Sequence, residues 1–184
     1  RDARNAAAAR RVLADHPMPE LYARTGIQFA PFNSIFQLRA VRDEQPWLLE
    51  HAERLLMLPD LFNFFLSGVQ HTEYSAASTS GALDVRARAW DETLLSALGV
   101  PVRLFQTPSL PGQALGPLLP SLCEEWMLPP VPVLSVAAHD TASAVAAVPA
   151  GPDAAYLSCG TWSLLGTQLD EPNTSPAAME ANFT

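Results

Sequence analysis

Lysine is absent from this chain, and all eleven basic residues are arginine. No phosphate-binding lysine of the P-loop kind and no Schiff-base lysine can therefore come from these residues. The arginines face 19 acidic residues, which leaves a formal net charge of −8. A nucleic-acid binder needs a basic surface against phosphates, so nucleic acid is excluded as a partner. Cysteine is scarce: Cys123 and Cys159 are too few for a disulfide framework, and both are expected to be reduced, small and apolar. There is no apolar run of about 18 residues, so no membrane span is expected, and no signal peptide is visible among these residues. The four histidines, His16, His51, His71 and His139, lack the spacing of a metal site. A soluble, cytoplasmic enzyme fits these absences, with a small molecule rather than a polymer or a membrane as partner.

What is present is concentrated in residues 131–169, VPVLSVAAHDTASAVAAVPAGPDAAYLSCGTWSLLGTQL. An apolar run from Val131 to Ala138 reads as a strand and stops at two ionisable groups, His139 and Asp140. Thr141 and ASAVAAV follow as a helix of small residues, and after PAGPD two strand-like segments meet at Gly160-Thr161 as a hairpin. A carboxylate at the mouth of a strand, desolvated on one side by LSVAA, can take a proton within hydrogen-bond reach. Asp140 can equally be the N-cap of the helix that follows it, and the two roles do not exclude each other. Adjacent strand residues point to opposite faces, so no direct His139–Asp140 pair is implied. Gly160 permits close backbone approach, and Thr161 offers a hydroxyl and an amide to a phosphate; a plain turn is the alternative.

The rest of the chain reads mostly as short helices. AAAARRVLAD is a helix by propensity, with Asp2 or Asn5 either capping it or belonging to a binding pocket. PELYARTG is a second helix, closed by Gly26. Asn33 is expected to cap SIFQLRAVRDE, whose Ile35, Phe36, Leu38 and Val41 make one apolar stripe. Pro46 opens WLLEHAERL, LLML reads as a short strand, and Pro59-Asp60 starts LFNFFLSG, in which Phe62, Phe64 and Phe65 are expected in the core. TEYSAASTSGALD is rich in hydroxyls. Glu73, Ser75, Ser78, Thr79 and Ser80 either line a wet cleft or make local side-chain to backbone bonds. WDETLLSALG is an amphipathic helix, and a Pro- and Gly-rich connector with a short strand near QALG leads to SLCEEWML.

HDTASAVAAVPA followed by AYLSCGTWSLLG resembles the FGGY family of carbohydrate kinases. RDARN, LYARTGIQFAPFNSIFQL, LLMLPDLFNFFLSG, TEYSAASTSGALD and Trp90-Asp91 agree with it over nearly all 184 residues. The His-Asp-Thr and Gly-Thr-Trp spellings point to the branch that phosphorylates L-rhamnulose. The resemblance implies a ribonuclease-H-like, actin-like α/β fold of two domains around a cleft, only partly covered. Residues 1–150 would be the C-terminal part of the sugar-binding N-terminal domain, and residues 151–184 the start of the nucleotide-binding domain. Asp140 would be the general base, His139 and Thr141 would contact the sugar with it, and Gly160 and Thr161 would hold the nucleotide. ATP and Mg²⁺ would be the cofactors, and no metal ligand of the protein is assigned.

The chain is expected to be an internal piece of a longer protein. The family's N-terminal phosphate turn and its C-terminal adenosine segment are not among these residues, so the piece alone is expected to be inactive. Three other readings compete. They are a kinase for another ketose or polyol (xylulose, fuculose or glycerol), a binding module on the same fold, and a pseudokinase. The oligomeric state is not specified by any of these patterns.

Overall fold

The computed structural model describes residues 3–149, 151, 153–160 and 163–184. The first half is helical. α1 (Arg4–Asp15) turns Ala8, Ala9 and Val12 inward, and these small side chains let it lie close along α3 (Ser34–Glu44). Arg11 reaches Asp43 at 2.7 Å, and Arg39 holds the other oxygen of the same carboxylate at 2.9 Å. Asn5 is buried inside α1 rather than capping it, and the N-cap position falls on Ala3, which makes no side-chain bond. Asp2 lies outside the described residues.

Between these helices, α2 (Met18–Thr25) starts on Pro17 and Pro19 and ends at Gly26, whose φ of +66° is a left-handed conformation that side chains resist. Asn33 sits at the N-cap of α3 but does not cap it. Its carbonyl oxygen accepts from the Ala30 amide and its NH₂ donates to Thr79 O, so it braces the incoming loop against residue 79.

α4 (Pro46–His51) is shorter than its sequence suggests, and LLML forms no strand. A strand needs a partner edge, and the neighbour of Leu55 is a 3₁₀ turn (Val102–Leu104), whose Leu104 O accepts the Leu55 amide. α5 (Leu58–Ser67) buries Asp60 and leaves Phe62 and Phe65 more than half exposed, so the phenylalanine cluster is not core. The acidic face turns inward because Asp60 Oδ1 accepts the Glu73 amide.

The core is completed by α6 (Tyr74–Ser78), the ribbon β1 (Leu83–Asp84) and β2 (Ala89–Trp90), and α7 (Glu92–Ala97). Asp91 caps α7 through Leu94 N and also takes a two-pronged bond from Arg24, at 2.5 and 2.6 Å. Val12, Leu21, Ile35, Phe36, Leu95 and Leu104 lie at the centre of one hydrophobic cluster. Every member of that cluster comes from residues 9–104.

Beyond it the packing thins. β3 (Ala114–Pro117) pairs antiparallel with β4 (Pro132–Leu134), with α8 (Pro120–Trp126) between them in sequence. α9 (Asp140–Ala146) follows, and then a hairpin of β5 (Ala155–Cys159) and β6 (Ser163–Thr167), with α10 (Pro176–Glu180) folded back onto α2. The expected strand over Val131–Ala138 is thus only three residues long, and Leu134 and Val136 are exposed. Pro132 cannot donate to a ladder, and after Ser135 the backbone bonds to side chains instead of to a neighbouring strand. In the hairpin, Tyr156 lies directly across from Gly166 and occupies the space a β-carbon would need there. Among the described residues each sheet has two antiparallel strands.

Candidate functional site

The segment between β4 and α9 carries the residues singled out by the sequence. His139 takes the N-cap position of α9, and Asp140 is its first helical residue. The Asp140 carboxylate accepts from its neighbour Thr141, from the amide at 2.7 Å and from the hydroxyl at 3.4 Å. It does not span the helix start as a side-chain cap would. An acid in the first turn is still favoured there by the helix dipole. His139 Nε2 stands 3.9 Å from Asp140 Oδ1, beyond hydrogen-bond range. The desolvation expected of Asp140 is not found: its side chain is 97% exposed. α9 itself buries no residue, so nothing in this segment rises beside the carboxylate.

The backbone leading to Asp140 is held far more firmly than its side chain. Ser135 exchanges backbone bonds with Gly112 and Gln113, at 2.6 and 2.8 Å. The Ser135 hydroxyl meets His71 Nε2 at 2.7 Å, and His71 Nδ1 meets the Ser109 hydroxyl at 3.2 Å. Burial holds His71 below the usual histidine range although Glu73 opposes this, so the ring is neutral and uses one nitrogen as donor and one as acceptor.

Glu73, fully buried, accepts Ala138 N at 3.0 Å, and Ser75 Oγ accepts His139 N at 3.1 Å. The same Glu73 carboxylate caps α6 through Ser75 N and Ala76 N, and takes the Ser75 hydroxyl at 2.6 Å. Burial pushes Glu73 upward, but these donors more than offset it and hold the carboxyl below its ordinary range. Ser143 closes the turn from the other side by donating to Ala137 O at 2.5 Å. Residues 71–75 therefore bind residues 135–139 through side chains, one segment laid along the other.

The second expected group is only partly visible. α9 packs against β5, the strand that leads to Gly160, and the hairpin forms as the sequence predicts. Gly160 is an exposed bend, whereas Thr161 lies outside the described residues. Cys159 is exposed and Cys123 half-buried, both as free thiols. Of the hydroxyl-rich stretch, Ser78 and Thr79 make local bonds and Ser80 accepts from Ala82 N. Glu73 and Ser75 bond locally and across the fold. His71, Asp60 and Ser135 were not singled out by the sequence. A histidine in a polar stretch carries no local sign of a partner 64 residues away.

Among the described residues no three His, Cys, Asp or Glu side chains gather to hold a metal. Asp140 by itself does not make a magnesium site, which needs six oxygens in octahedral array. Nor is any described helix long and apolar enough to cross a membrane.

Residues 1–147 match the FGGY family of carbohydrate kinases, N-terminal domain. The chain belongs to that family. It is 42% identical over 188 residues to a rhamnulokinase of Enterobacter sp. (strain 638), a match taking in 100% of this chain and 37% of that protein. It is 46% identical over 169 residues to a rhamnulokinase of Klebsiella pneumoniae (strain 342), with 90% and 33% covered. The chain thus spans 33–37% of the length of these FGGY relatives. Its fold is that of solved sugar kinases. A ligand-bound xylulose kinase from Lactobacillus acidophilus superposes with a TM-score of 0.78 at 19% identity, over 93% of this chain and 36% of that one. A carbohydrate kinase from Novosphingobium aromaticivorans does so with a TM-score of 0.74 at 25% identity, over 90% and 37%.

Proposed function

We propose that this chain supplies the sugar-side base of an ATP-dependent kinase that converts L-rhamnulose to L-rhamnulose 1-phosphate. The observation that carries the reading is Asp140, a solvent-open carboxylate on the first turn of α9, at the end of a backbone segment pinned by buried side chains. A base must reach the hydroxyl whose proton it takes, and an open carboxylate on a fixed turn satisfies that requirement. The identity of 42% and 46% to rhamnulokinases over most of the chain supports this sugar over other ketoses.

In this reading the terminal hydroxyl of the ketose gives its proton to Asp140. Its oxygen bonds to the γ-phosphorus of ATP, and the bond from that phosphorus to ADP breaks. His139 and Thr141 flank the base and contact the sugar, and Gly160 and Thr161 serve the nucleotide. Residues 1–150 belong to the sugar-binding domain, and residues 151–184 open the nucleotide-binding one. Magnesium would come with the ATP phosphates and would neutralise their charge. A cytoplasmic location goes with a substrate of this kind and with ATP.

A coupled ADP-release assay on the full-length protein tests the reading, with L-rhamnulose, L-fuculose, D-xylulose and glycerol as acceptors. Preference for L-rhamnulose is expected, with Asp140→Asn lowering kcat by about 10²–10⁴-fold. An active Asp140→Asn variant would reject Asp140 as the base, and preference for another acceptor would reject the substrate.

A further inference from the structure

We infer that Ser75 and Glu73 are positioning residues for Asp140: together they fix the Ala138 and His139 backbone and so set where the first carboxylate of α9 stands. This rests on the reading of Asp140 as the base. Among the described residues the hydrogen bonds of the Asp140 carboxylate come from its neighbour Thr141 alone, so its place is set by the backbone that delivers it. The two amides immediately before it are those of Ala138 and His139, and these donate to Glu73 Oε2 and Ser75 Oγ.

The side chains suit that task better than they suit capping alone. α6 is five residues long, and a short serine or aspartate would cap it. A glutamate reaches farther, and its carboxylate here accepts from four donors on two segments: Ser75 N, Ser75 Oγ, Ala76 N and Ala138 N. The Ser75 hydroxyl acts as a relay. Its single proton goes to Glu73, which leaves a lone pair facing the His139 amide. The clamp is itself anchored, because Asp60 Oδ1 accepts Glu73 N at 3.1 Å and His71 ties Ser135 from two residues upstream. A shift of about 1 Å in a catalytic group placed this way can cost roughly 10²-fold in rate.

Ser75→Ala separates positioning from structure, since it removes the hydroxyl relay but leaves the Ser75 amide on Glu73. Ser78→Ala is the control: its hydroxyl donates to Ser75 O in the same helix, whereas the Ala138 and His139 amides donate to Glu73 and Ser75. In the full-length kinase, Ser75→Ala should lower kcat about tenfold or more, with KM for ATP within about twofold of wild type. Ser75→Thr should recover the rate, and Ser78→Ala should keep it. Hydrogen exchange of the peptide covering 136–142 should quicken in Ser75→Ala and in Glu73→Gln, but not in Ser78→Ala.

Wild-type kcat in Ser75→Ala, alongside a dead Asp140→Asn, overturns the inference and leaves the base assignment standing. So does an equal loss in Ser78→Ala, or unchanged exchange at 136–142. Full activity in Asp140→Asn overturns the base assignment, and this inference falls with it.

Discussion

Asp60 offers a measurement in which the sign as well as the size can be worked from the structure. Its side chain is fully buried on α5, with Oδ1 on the Glu73 amide and Oδ2 without a hydrogen-bond partner among the described residues. Burial pushes the carboxyl up from the ordinary 3.8 to about 6; the Glu73 amide pulls it down and the Glu73 charge pushes it up. The folded state therefore holds this proton more tightly than the unfolded chain does. Its stabilising contribution is complete below pH 3.8, fades as the pH rises through about 6, and is absent above that. A shift of about two units corresponds to about 3 kcal/mol at neutral pH.

Asparagine keeps a carbonyl oxygen for the Glu73 amide and cannot ionise. Asp60→Asn should match wild type near pH 4 and become more stable as the pH rises. At pH 7.5 the gain should reach about 3 kcal/mol, or roughly 6–12 °C in Tm for a chain of this size. Thermal unfolding of both proteins in steps from pH 4 to 7.5 makes the comparison, and the other titrating groups largely cancel in the difference. A Tm difference that is flat across this range, or an Asp60→Asn variant less stable at pH 7.5, would refute the reasoning.

The remaining predictions concern the frame that carries the site. Asp91→Ala removes the cap of α7 and leaves Arg24 without its two-pronged partner, which should cost about 2–4 kcal/mol by denaturant unfolding. Asp91→Asn should recover the capping part of that loss, since its side-chain oxygen still accepts Leu94 N. Leu95 is fully buried in the central cluster, so Leu95→Ala should cost about 2–5 kcal/mol, read as a lower urea midpoint with an unchanged slope.

Much of the helical half was legible because its signals are local. The helix closed by Gly26, the apolar stripe Ile35, Phe36 and Leu38, and the helix within WDETLLSALG all depend on residues a few positions apart. The hairpin at 155–167 was legible for the same reason. Where the reading erred, the deciding partner was remote. LLML lacked an edge to pair with. Asn33 donates to Thr79 O, 46 residues away, instead of capping its own helix. Phe62 and Phe65 of α5 faced outward because Asp60 was drawn in toward Glu73.

The site divides along the same line. The sequence alone determined the His139-Asp140-Thr141 spelling, a helix start at that point and a hairpin turn at Gly160, because each is a matter of side-chain chemistry and short-range backbone preference. It also determined membership of the FGGY family, which the match over residues 1–147 shows. Only the tertiary structure decided that Glu73 and Ser75 grip the backbone ahead of Asp140, and that the carboxylate itself is open to solvent. Those contacts join residues 64 and 65 positions apart, and a local pattern carries no trace of them. A hydroxyl and a carboxylate look alike in sequence whether they bond to their own turn or to another segment, and packing alone chooses between the two.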